Sequence, residues 1–201
     1  MSAPARSALS REALRRLVYA SLMVALSVVL PYVFHLIPGL GTYLSPIHLP
    51  SLFCGLVCGP LYGALCGLAG PLLSSLITGM PGALYLPPMM VECAVYGLVA
   101  GLGMRWIRTG KTLPDILVSL LSAQLAGRLA AGAVRAFLLA SDGFTLRIFL
   151  TSYFVSTWPA IVLQLVLLPM LYLLLGRVRL LPRRYLVKST GKETRPCLPK
   201  F

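Results

Sequence analysis

Charge in this chain is confined almost entirely to its two ends and one connector, and the intervening stretches are long and apolar. Several exceed the roughly 18 apolar residues that suggest a membrane-spanning helix. The run from Leu17 to Leu36, for instance, holds no Asp, Glu, Lys or Arg. With 58% apolar and only 11% charged residues among 201, a soluble domain is a poor description. The net charge of +13 arises from 18 Lys and Arg against five acids, Glu12, Glu92, Asp115, Asp142 and Glu193. Because the basic residues flank apolar segments, they read as membrane topology and not as a nucleic-acid-binding face.

Breaks at Pro, Gly and charge divide the apolar part into six helices, at about 14–36, 46–58, 60–78, 86–104, 114–140 and 148–175. The expected fold is thus an all-α integral membrane protein, a compact six-helix bundle over 14–176. A basic N-terminal segment (1–13) and a basic tail (177–201) flank it. The tail contains Pro and reads as disordered or bound to the membrane surface. The N-terminal segment superficially resembles a signal peptide, but the apolar run after it is too long and lacks a small-residue cleavage site. The region 46–78 would measure about 50 Å as one helix against a hydrocarbon core of about 30 Å. A short second helix, a break at Gly59-Pro60 and a third helix starting on Pro60 are expected.

Six spans with both ends cytoplasmic place all but three of the 18 basic residues inside, the exceptions being Arg128, Arg135 and Arg147. That orientation makes the chain a multi-pass protein of the cell membrane. Gly55, Gly59, Gly63 and Gly67 recur every four residues, and Gly97 and Gly101 repeat the spacing. Such faces let helices approach closely in lipid, so helix packing is preferred to ligand contact.

Catalytic signatures are missing. Thr109-Gly110-Lys111-Thr112 resembles the end of a P-loop, but Arg105 stands where the first Gly belongs, and no strand precedes it. Cys197 lies fifth from the end and fails the prenylation pattern. Cys54, Cys58, Cys66, Cys93 and Cys197, without C-x-x-C and with only two His, point to buried small hydrophobes and not to a metal or disulfide. One acid, Glu92, lies well inside a span, with Asp115 at the very start of the fifth, so paired carboxylates or nucleophile–base pairs have too few parts. No enzymatic activity, metal or cofactor is expected.

What remains is a sparse polar set in apolar surroundings: Glu92, Gln124, Arg128, Arg135 and Gln164, with His35 and His48 near the outer boundary. Intramembrane ionisable groups are costly and are functional candidates by default. Gln124, Arg128 and Arg135, spaced by four and seven, share one helical face that should look into the bundle. Glu92 pairing with Arg128 would be a purely structural link between helices. It would leave Arg135 to hold an anionic solute, a carboxylate above all, unless Arg135 snorkels to the headgroups. Tyr85, Tyr153 and Trp158 are positioned either to line the pocket or to form an interfacial aromatic belt.

The motifs also carry a resemblance. Leu17-Val18-Tyr19-Ala20-Ser21-Leu22-Met23-Val24-Ala25-Leu26, Ser45-Pro46-Ile47-His48-Leu49-Pro50, Gly-Pro-Leu-Tyr-Gly at 59–63, Thr78-Gly79-Met80-Pro81 and Met90-Val91-Glu92 with Tyr96-Gly97 resemble the substrate-binding S components of energy-coupling factor (ECF) vitamin transporters. The likeness is specific over 14–103 and looser beyond. It implies a six-helix protein that binds a vitamin or related micronutrient near its outer face. It also implies partners, a membrane coupling protein and two cytoplasmic ATPases. The family's Ala-x-x-x-Ala docking motif would fall on Ser21 and Ala25, with Ser replacing the first Ala. The loop 37–45 would be a lid. The similarity of the S-P-I-H-L-P and T-G-M-P regions makes pantothenate the first substrate expectation, with folate, riboflavin, niacin and queuosine-type bases as alternatives. The rival reading is a membrane scaffold in which Glu92 and Arg128 are structural; a small intramembrane enzyme ranks third.

Overall fold

The structure, a computed structural model, describes residues 3–35, 44–138 and 146–178. Among them it is all-helical: α1 (Ala3–His35), α2 (His48–Cys58), α3 (Pro60–Thr78), α4 (Leu86–Trp106), α5 (Thr112–Leu138), α6 (Leu146–Leu150), a π-helical turn (Thr151–Val155) and α7 (Trp158–Arg177). Five segments are long and apolar enough to cross a membrane: 12–34, α3, α4, α5 and 147–177. α2, with 11 residues, rises only about 16 Å and is the short helix expected from the sequence.

Two local departures have physical causes. α1 runs unbroken from Ala3, about three turns before the expected start, because the segment is rich in Ala, Leu, Arg and Glu, which favour helix. Glu12 and Arg16 add an i,i+4 ion pair at 2.8 Å. The sixth apolar segment is not one regular helix but two helices joined through the π-helical turn.

The turns follow residue chemistry. Gly59 at φ 99° ends α2 and Pro60 opens α3, where its missing N–H costs nothing. Gly79 ends α3 in the left-handed region (φ 74°). Beyond it, Ser74 and Ser75 donate hydroxyl hydrogen bonds of 2.8 Å to the carbonyls of Met80 and Pro81, which fastens the next loop to α3. Between α4 and α5, the Thr109 amide and hydroxyl donate to Asp115 at 2.8 and 2.7 Å, so Thr109–Thr112 forms a helix-entry turn.

α4 is the centre of the bundle, packed against α2, α3 and α5; α1 lies on α2 and α3, and α7 on α5 and α2. The glycines make this possible. Gly55, Gly63 and Gly97 meet backbone to backbone where α2, α3 and α4 converge. Beside them Leu52, Leu56, Tyr96, Ala100, Ile116, Leu120 and Leu168 form the buried core. The outside is apolar too: Leu61, Leu65 and Leu76 on α3, Leu121, Leu125 and Leu129 on α5, and Val162, Val166 and Met170 on α7 are exposed. Exposed apolar surface on this scale fits a lipid solvent.

Candidate functional site

At the end of the bundle away from Ala3 and Arg177, the helices part around a cavity of about 640 Å³, a size typical of small-molecule sites. Its wall combines the C-terminal end of α1 (Pro31), the entry to α2 (Ser45 to His48), the Met80–Gly82 loop and the first turns of α4. The second half of α5 and the segment 152–157 complete it. Much of the lining is apolar, from Pro, Met and Ile side chains. The charged groups are Glu92, Arg128 and Arg135.

Glu92 and Tyr96 lie one turn apart on α4, and the Tyr96 hydroxyl donates to Glu92 Oε1 at 2.6 Å. Both are buried. Gly127 of α5 sits against the Tyr96 ring, so its missing side chain sets how close α5 comes to this pair. His48, at the first position of α2, stacks edge-on against Tyr96 with ring centroids 5.2 Å apart. Its Nε2 stands 3.8 Å from Glu92 Oε2, beyond hydrogen-bond reach, and neither ring nitrogen has a hydrogen-bond partner among the described residues.

Arg128 is 2% exposed although it lines the cavity. Its Nη1 donates to Thr157 Oγ1 at 2.6 Å, and the guanidinium lies 5.5 Å from the Phe154 ring centroid. Its Nε lacks a partner among the described residues. A buried donor left unpaired costs about 1–3 kcal/mol, so this cavity favours a solute that brings acceptors.

Glu92 and Arg128 share the cavity, yet among the described residues they form no ion pair within 4 Å; Tyr96 and Thr157 have taken the places of that structural link. Arg135, expected to be left over for the solute, has a protein neighbour of its own. Arg135 is half-buried in the wall, with its guanidinium 5.2 Å from the Tyr85 ring centroid.

The other sequence candidates divide. His48, Glu92, Arg128, Arg135 and Tyr153 come together around the cavity. Gln124 and Gln164 are buried outside its lining and bond to each other at 3.1 Å, tying α5 to α7. Gln124 Nε2 is the donor and Gln164 Oε1 the acceptor, while Gln164 Nε2 finds no hydrogen-bond partner among the described residues. Trp158 is 62% exposed at the start of α7 and does not line the cavity, a position suited to the aromatic belt. The loop 36–43, most of the expected lid, and the tail 179–201 lie outside the described residues. Among those described, no three His, Cys, Asp or Glu side chains form a metal site. Cys54, Cys58 and Cys66 are buried together beside Ala20.

Single-residue reasoning on charged groups passed over Ser152, Ser156 and Thr157, which line the cavity from the segment around the π-helical turn. Their signal was available: Thr151-Ser-Tyr-Phe-Val-Ser-Thr157 is a hydroxyl-rich run inside an apolar segment. Irregular helical turns of this kind are frequent at functional sites.

A sequence model for the substrate-specific component of ECF transporters matches residues 15–176. The chain belongs to that family. The match begins about one turn before the middle of α1 and ends in the last turn of α7, so it takes in every element that lines the cavity. No curated protein and no solved structure gives a match. As an ECF substrate-specific component, the chain is a multi-pass membrane protein of a transporter family and not of an enzyme family. Family members work with a small-molecule substrate and an energising module, and the cavity is the feature of this one that fits a small molecule.

Proposed function

We propose that this ECF component captures a small anionic, vitamin-like solute in the cavity at its outer face, with pantothenate the first candidate. The observation that supports this most is Arg128, a permanent cation buried in the cavity wall with Nε unpartnered among the described residues. A carboxylate meets that guanidinium with charge-assisted hydrogen bonds, which are stronger than neutral ones. Arg135 adds a second positive charge to the same wall, and Glu92 Oε2 and His48 offer polar atoms to a hydroxyl or amide of the solute. The apolar lining takes the rest of the molecule.

In this reading both ends face the cytoplasm, the cavity opens outward from the plasma membrane, and solute is passed on through a coupling protein driven by two ATPases. Ser21 and Ala25 are exposed on α1, one turn apart, which suits the proposed docking face. Mass spectrometry of small molecules released from purified protein tests the substrate reading. The wild type should release an anionic vitamin or precursor that Arg128→Ala has lost. Equal retention by both would refute the role of Arg128. Recovery of tagged protein without a coupling protein and ATPase pair would refute the transport reading.

A further inference from the structure

We infer that Thr157 is the positioning residue of this cavity, holding the Arg128 guanidinium in the attitude that meets a bound anion; the inference rests on the reading of Arg128 as the anion anchor. Thr157 occupies the N-cap position of α7, where a threonine hydroxyl ordinarily accepts from a backbone N–H in the first turn. Here it makes no such cap bond. The hydroxyl instead donates its single proton to the Tyr153 carbonyl at 2.6 Å. With that proton committed, it can only accept toward Arg128, and Arg128 Nη1 donates to it at 2.6 Å.

The arrangement has a direction. Arg can only donate, so a hydroxyl whose proton is tied to a backbone carbonyl is a matched partner that carries no charge. A carboxylate at position 157 would also hold Arg128, but it would neutralise the cation. Thr157 orients the guanidinium and leaves its charge for the solute. Phe154, on the same irregular turn, lies 5.5 Å from the guanidinium carbon. The segment 153–157 therefore acts as one mount: the Tyr153 carbonyl sets the Thr157 hydroxyl, and Thr157 and Phe154 together set Arg128.

The test compares Thr157→Val, Thr157→Ser and Thr157→Asp in purified, detergent-solubilised protein. Equilibrium binding of radiolabelled pantothenate is measured together with the side-chain NMR signals of Arg labelled with ¹⁵N in the guanidinium, the Arg128 signal assigned with Arg128→Lys. Thr157→Val should weaken pantothenate binding about tenfold, equivalent to about 1.4 kcal/mol. Its unfolding temperature should fall modestly, because the buried Arg128 Nη1 loses its acceptor, and the guanidinium signal separates that loss from lost positioning. Thr157→Ser should restore affinity, and Thr157→Asp should abolish binding while keeping Arg128 ordered. Wild-type affinity in Thr157→Val overturns the inference. Should the wild type itself not bind pantothenate, the substrate reading fails and the ligand-free spectra decide the matter. A restricted Arg128 guanidinium in wild type and Thr157→Ser, freed in Thr157→Val, supports the inference; identical spectra overturn it.

Discussion

Gly63→Ala is the sharpest probe of how the bundle holds its cavity. A methyl group at Gly63 would stand 2.6 Å from Gly55 Cα and 2.6 Å from the Gly97 carbonyl oxygen. Comfortable contacts between such atoms lie near 3.5–4.0 Å, so the methyl intrudes by about 1 Å. Both obstacles are backbone, and neither can rotate aside as a side chain would. Overpacking costs about 1–3 kcal/mol where neighbours can yield, so the upper end applies here. Alanine recovers about 1 kcal/mol of helix propensity, leaving a net loss of about 2 kcal/mol. For a chain of this length that is a fall of about 4–8 °C in unfolding temperature. Thermal unfolding in detergent, followed by loss of helical signal, measures it. Gly176→Ala is the control: nothing lies within 4 Å of the added methyl, and its stability should match or slightly exceed wild type. A Gly63→Ala protein that unfolds at the wild-type temperature would refute the close approach of α2, α3 and α4. Because Glu92 and His48 ride on two of these helices, a separation large enough to admit the methyl should also weaken solute binding.

Other expectations follow from individual contacts. Tyr96→Phe removes the 2.6 Å donor to buried Glu92 while keeping the ring against His48 and Gly127, so it should lower stability by about 1–3 kcal/mol in thermal unfolding. Replacing Gln124 alone with Leu takes the donor from Gln164 Oε1, leaves that buried amide with no partner on either atom among the described residues, and should destabilise more than replacing both with Leu, a non-additivity that a double-mutant cycle in unfolding measurements detects. Cys54, Cys58, Cys66 and Cys93 are all buried, so in the folded, detergent-solubilised protein they should resist a hydrophilic maleimide until denaturant is added, as read by mass spectrometry.

Arrangement along the chain was legible because the bilayer imposes simple rules on it. Apolar length gives spans, Pro and Gly give breaks, and the predicted end of α2, both edges of α3 and the start of α4 coincide with the observed ones, while α2 starts two residues later than expected. The packing use of the glycines was equally readable, since small residues at a spacing of four leave few alternatives in lipid. The start of α1 was not, because a polar helix end outside the hydrocarbon leaves no mark in an apolar run. The π-helical turn was hidden for a related reason: its residues are as apolar or hydroxylated as those of a regular helix, and only the path of the backbone distinguishes them.

Partnership within the site belonged to tertiary structure. The sequence alone supplied the scarce polar groups and the reason to suspect them, since lipid penalises each one that lacks a purpose or a partner. It could not say that Glu92 turns to Tyr96 and not to Arg128, that Gln124 donates to Gln164, or that Arg128 rests on Thr157. Those choices depend on the rotation of each helix about its axis and the separation between axes. Side chains 29 and 40 positions apart meet only after α7 has packed on α5 and the turn at 151–155 has carried Thr157 to α5.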